Sequence, residues 1–157
     1  MTPVTQRVVT PTTSININTV NVNTSQTQLI VGSMDAAWTA LNIVYNELSI
    51  PIQTLVDAQH LIGNQGYKVR RRIGALPMQR ILDCGSAMGI PNAETFDINL
   101  SISSYLAPNP KGGLNIVTRI DATGKSPNFS GQTAVTCSSS GELEKAIAQL
   151  VQKKIGP

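Results

Sequence analysis

Charge is scarce in this chain. Asp, Glu, Lys and Arg together make up 13% of its 157 residues, about half the share of an ordinary soluble domain. Aromatic residues are 4%, and the net charge is only +3, a faint footprint beside that of a nucleic-acid binder. There is one His and there are two Cys. A zinc site needs three or four ligands at defined spacing, so metal chemistry finds no donor set. No apolar run approaches the ~18 residues of a membrane-spanning helix. The opening "MTPVTQRVVTPTTS" lacks the apolar stretch of a secretory leader. An exported protein has the same look when its chain starts after the cleavage site.

Asn, Gln, Ser and Thr fill the space that charge leaves, a balance commoner in exported β-rich proteins than in cytosolic enzymes. The length suits one domain, able to bury about two-thirds of its unfolded surface. The charges that exist are uneven. Residues 1–57 hold one Arg against three acids, whereas residues 58–90 hold Lys68, Arg70, Arg71, Arg72 and Arg80 against Asp83 alone.

Along the chain, residues 1–13 read as a polar tether without periodicity. "SININTVNVNT" alternates, with Ile15 and Ile17 on one face and Val20 and Val22 on one face. Its phase shifts at Asn18-Thr19, where a bulge or turn belongs. "QTQLIV" is a further strand. "GSMDAAWTALNIVYNELSIP" is the clearest helix: Ser33 caps it, Asp35 sits where the macrodipole favours an acid, and Trp38, Leu41, Tyr45 and Leu48 share a face. Pro51 closes it. Residues 50–74 read as strand, turn, strand, with Asp57-Ala58 at the turn and Gly63 and Gly66 breaking or bulging the second arm. A short helix follows Pro77, and "DCGSAMGIPN" reads as loop.

"TFDINLSISSYL" is the strongest strand, with Phe96, Ile98, Leu100 and Ile102 facing one way and polar residues the other. That is the mark of an antiparallel sheet with one buried and one wet face. "LNIVTRIDAT" returns with Leu114, Ile116, Thr118 and Ile120 inward. "GKSPNFSGQ" is loop and "TAVTC" a last strand. A final helix carries a capping box, Ser139 with Glu142, and a buried stripe of Leu143, Ile147 and Leu150. Strands in runs, separated by helices, predict an α+β fold. The expected architecture is one mostly antiparallel sheet, two main helices on one face, an extended polar N-terminal arm over residues 1–13, and a single domain over residues 14–157.

The two cysteines, Cys84 and Cys137, admit several readings. A catalytic thiol needs a base to lower its pKa; Cys137 precedes a helix start, but nothing ties His60, the one imidazole, to it. Two buried free thiols are a second reading. A Cys84–Cys137 disulfide is the favoured one, since an even count suits a bridge. Closing a loop of that length constrains the unfolded chain by about 4 kcal/mol in the chain-entropy treatment. A bridge requires an oxidising compartment.

"DATGKS" ends like a phosphate-binding loop, but Arg119 stands where the first glycine belongs. "GNQGYK" lacks a dinucleotide fingerprint. The nine acids form no catalytic pair by spacing. No catalytic residue, cofactor or metal ligand is therefore assigned. "YKVRRRIG" carries the one functional candidate. In a strand, Lys68, Arg70 and Arg72 share a face, suited to an anionic envelope component or an acidic partner protein.

"VGSMDAAWTALNIVYNELSIPIQTLVDAQHLIG" places Ala37-Trp38 three residues before Leu41, then Leu48, Ile50-Pro51, a strand and a turn with Asp57. It resembles the opening of periplasmic domains in bacterial envelope lipoproteins, including those of the BamC type. "TCSSSGELEKAIAQLV" resembles the tail of uncharacterised envelope lipoproteins. The resemblance implies a non-enzymatic envelope domain, often tethered by an N-terminal lipid. No cysteine precedes residue 14, so such an anchor is expected to be missing or removed here.

The leading expectation is an extracytoplasmic (periplasmic) interaction or scaffold domain. It would be an accessory subunit of a membrane-associated complex, with no nucleic-acid partner and no transmembrane segment of its own. Ile15, Ile17, Val20 and Val22 would add to a partner's sheet edge, beside the contact made by Lys68, Arg70 and Arg72. Binding of a small ligand or lipid between helix and sheet is the alternative, and an enzyme without a recognisable motif is the third.

Overall fold

A computed structural model describes residues 25–127 and 133–156. The tether and the alternating segment with Ile15, Ile17, Val20 and Val22 lie outside the described residues.

Strand β1 (Gln26–Ile30) leads into helix α1 (Met34–Glu47). Ser33 caps the helix: its Oγ accepts from the Ala36 backbone N–H at 3.1 Å, and Asp35 occupies the first turn. Ala37, Ala40, Leu41, Val44 and Tyr45 make the buried face. Trp38 therefore sits at the rim of that face and not at its centre. The reason is its polar end, since Nε1 donates to Asp57 at 2.9 Å. The helix stops before Pro51 is reached, leaving through Ser49 in the left-handed region (φ 59°).

Next come β2 (Thr54–Val56), a single tight turn at Asp57–Gln59, and β3 (Leu61–Val69). The register of β3 shifts between Asn64 and Tyr67, the expected bulge. Then the chain makes a small excursion of short elements: β4 (Arg72–Ile73), β5 (Leu76–Pro77), α2 (Met78–Ile81), β6 (Leu82–Asp83), β7 (Ser86–Ala87), β8 (Ile90–Pro91) and α3 (Asn92–Thr95). The stretch expected to be plain loop thus contains a hairpin. The two long strands β9 (Asp97–Pro108) and β10 (Leu114–Lys125) follow, then β11 (Val135–Ser139) and helix α4 (Glu142–Ile155).

The architecture is α+β. The main sheet runs β2-β3-β9-β10-β11-β6, with β1 beside the first half of β10, and its pairs are antiparallel. Helices α1 and α4 pack against each other and are joined at one end by Lys154 Nζ to Glu47 Oε2, 2.6 Å. Beneath them, Ile98, Leu100, Ile102 and Leu106 of β9 and Leu114, Ile116, Ile120 and Ala122 of β10 are buried. This is the period-2 alternation that a sheet with one covered face demands.

The alternation brings one polar pair into the core. Ser104 and Thr118 are register partners and both are buried, with their hydroxyls 2.8 Å apart. Tyr45 reaches from α1 to Ser104 at 2.9 Å. A buried hydroxyl needs a partner, and each of these three finds one in the others.

The start of α4 differs from the expected capping box. Gly141, at φ 91°, turns the chain from strand to helix, so Ser139 still belongs to β11. Its Oγ donates to Glu144 Oε2 at 2.7 Å. Ser140 Oγ accepts from the Glu142 backbone N–H at 3.2 Å. The serines still serve the helix end, but the Ser139–Glu142 pairing is replaced by Ser139–Glu144.

Candidate interaction surface

The segment 70–96 leaves the sheet after β3 and rejoins it at β9. Two short tethers hold its middle. Strand β6 pairs with β11 through Asp83–Ser138 and Leu82–Ser139. One residue on, Cys84 and Cys137 form a disulfide with Cα atoms 4.3 Å apart. Both are buried, and no described cysteine is free. Ile73, Met78, Ile81 and Ala93 supply the apolar anchors of the excursion. Asn92 Nδ2 donates to the Cys84 carbonyl at 3.0 Å. With both sulfurs joined, neither supplies a thiolate nucleophile.

The basic segment does not form the continuous strand face that alternation suggested. Strand β3 ends at Val69, and Arg71 adopts φ 73°. That left-handed residue turns the chain into the β4–β5 hairpin and breaks the shared face of Lys68, Arg70 and Arg72. Arg70 lies 3.6 Å from Asp97. Arg71 and Arg72 are exposed and form no ion pair among the described residues. Both line a groove of about 190 Å³ with Ala75, Pro77 and Glu94. Lys68 instead lies at a separate groove of about 340 Å³, with Asp97, Asn99, Thr123 and Lys125.

Helix α3 carries Glu94 and packs against both β7 and β8. The hairpin those strands form was not foreseen. Every residue from 85 to 91 is exposed, and Met88 is 100% exposed, with Ile90 at 52%. Met88 (φ 53°) and Gly89 (φ 81°) form the two-residue connection, the positive-φ pair of a type I′ turn. Only "Met-Gly" marked it in the sequence, where Asn-Gly or Asp-Gly is the recognisable signal.

His60 packs edge-on against Trp38, ring centroids 5.6 Å apart. "DATGK" of the rejected phosphate motif is strand, not loop, with Asp121 opposite Ser101 and Lys125 opposite Asp97. Among the described residues no three His, Cys, Asp or Glu side chains gather as a metal site. The uncovered sheet face holds a groove of about 210 Å³ lined by Asn64, Gln65, Ser101, Ser103, Arg119 and Asp121. There Arg119 and Asp121 neutralise each other at 3.2 Å. Between helices and sheet, the place of a ligand in the alternative reading, Leu41, Tyr45, Leu100, Ile102 and Ile116 fill the space. Burial pushes the Tyr67 phenol up to about 12. It pushes Tyr45 higher still, against the opposing effect of the Ser104 hydrogen bond and with a small addition from Tyr67. Phenols that hold their protons this firmly are poor general bases near neutral pH.

No helix among the described residues is long and apolar enough to cross a membrane. No family model, curated protein or solved structure matches this chain.

Proposed function

We propose that this chain is a non-enzymatic interaction domain at the extracytoplasmic face of a bacterial membrane, an accessory subunit of an envelope or membrane complex. The observation that carries the reading is the pair Arg71 and Arg72. Both are exposed and free of ion partners among the described residues, on an excursion pinned by a disulfide. Surface cations are ordinarily interspersed with acids; here the fold holds two of them forward on a rigid base. Rigid presentation lowers the entropy cost of binding. The disulfide supports an oxidising compartment, and the resemblance of residues 31–63 to envelope lipoprotein domains supports the periplasm.

The test is co-purification. The tagged chain is recovered from gently solubilised membranes of its native host, alongside an Arg71→Glu/Arg72→Glu variant. The expected result is that a membrane complex accompanies the parent and is lost from the variant, while circular dichroism and melting temperature stay unchanged. Equal recovery with both proteins would overturn the reading.

A further inference from the structure

We propose that the excursion is a foot for an anionic phospholipid surface, with Met88 and Ile90 entering the headgroup layer and Arg71 and Arg72 gripping lipid phosphates. The inference rests on the interaction-domain reading above and names its partner.

The first argument is conformational. A type I′ turn needs both central residues at positive φ, which Asn and Gly accept readily. Methionine does not: its Cβ crowds the backbone in the left-handed region. Met88 stands there at φ 53°, its whole surface in water. Nothing in the fold gains from it, since the hairpin touches the core through neither Met88 nor Gly89. Arg71, at φ 73°, differs: its turn starts the β4–β5 hairpin and its carbonyl accepts from the Met78 backbone N–H. Local strain at Met88, without such a folding return, points to a use elsewhere.

The second argument is shape. An apolar hot spot for a protein partner lies inside a flat patch whose rim excludes water. Met88 has no rim of its own. A bilayer supplies one, because it surrounds an inserted side chain on all sides. Cations flanking an apolar tip are the surface form of interfacial membrane binding, and anionic lipids attract such cations. Arg71 and Arg72 share a groove with Glu94 of α3, and α3, four residues long, follows directly on the second hairpin strand. Glu94 is the one acid lining that groove, against the two arginines.

The experiment is flotation with phosphatidylcholine vesicles, with and without phosphatidylglycerol. The disulfide-bonded parent is compared with Met88→Asn and Arg71→Gln/Arg72→Gln. The parent should float with the anionic vesicles only, and less in high salt. Met88→Asn should lose most of that binding while melting no lower than the parent, because Asn suits the turn. The arginine variant should bind about tenfold more weakly or worse, each cation near the surface counting for about one kcal/mol. Failure of the parent to float, or equal flotation of Met88→Asn, overturns the membrane foot. If co-purification with a membrane complex then still depends on Arg71 and Arg72, the partner is a protein and the interaction reading stands. If it does not, both fall.

Discussion

The hydroxyl of Tyr45 lies 2.9 Å from Ser104 Oγ, joining helix α1 to the middle of the sheet inside a sealed core. Ser104 in turn meets Thr118. The chain of three hydroxyls sets an order of costs. Tyr45→Phe removes one bond and leaves Ser104 partnered by Thr118, so the loss should be about 1 kcal/mol. Ser104→Ala leaves two buried hydroxyls without their partner, so it should cost more, up to about 3 kcal/mol. Urea midpoints at constant slope measure both. The reverse order would refute the network.

Alkaline stability follows from the same region. An unfolded tyrosine loses its proton near pH 10, whereas folded Tyr67 holds it up to about 12 and Tyr45 beyond that. Above about pH 10 the unfolded chain therefore binds fewer protons than the folded one, and stability falls as pH rises. Below about pH 10 these two groups contribute no slope. Urea midpoints taken from about pH 9 to about pH 12 should decline. The Tyr45→Phe/Tyr67→Phe protein should show a shallower decline.

Reducing the Cys84–Cys137 bridge should cost much of the stability. With 53 residues of sequence separation, the chain-entropy treatment gives about 4 kcal/mol. Beyond the bridge, residues 82 and 83 join the main sheet through the two register pairs of β6 with β11, while Arg80 and Ile81 just before them are held by Ser140 and Glu142. Reduction should thus release 82–91 before the β9–β10 core. Thermal melts with and without reductant, together with amide exchange, would read this as early loss of protection in that segment. Uniform loss across the fold would contradict it.

The helices and long strands were legible because each repeats its pattern long enough to average out exceptions. Strands β9 and β10 alternate buried with more exposed positions along most of their twelve residues, with Ser104 and Thr118 the polar exceptions on the buried side, and Ser33 with Asp35 marks a helix start that the backbone then uses. The cysteine pairing was legible because few sulfurs left few choices. Trp38 packs against the core as its spacing predicts, but it stays at the rim because its indole N–H binds Asp57, and helical spacing carries no information about a partner nineteen residues away. The candidate surface was only half legible. A run of basic residues identified the segment but not its geometry, since left-handed Arg71 ends the alternation on which the shared face depended. The hairpin of Met88 and Ile90 is too short for periodicity and lacks the usual turn residues.

The sequence by itself determined the α+β class, the two main helices and the alternation of the long strands, and it favoured a bridge between the two cysteines that the structure then shows. Those are local or nearly exclusive choices, set by side-chain period and by scarcity. Only the tertiary structure decided which partners the core hydroxyls of Ser104 and Thr118 would find, where Ser139 would find its acid, and which cations would stand forward without partners. These depend on residues far apart in the chain meeting at a few ångströms, and on single backbone angles at Arg71, Met88 and Gly141. No repeating pattern in the chain encodes either.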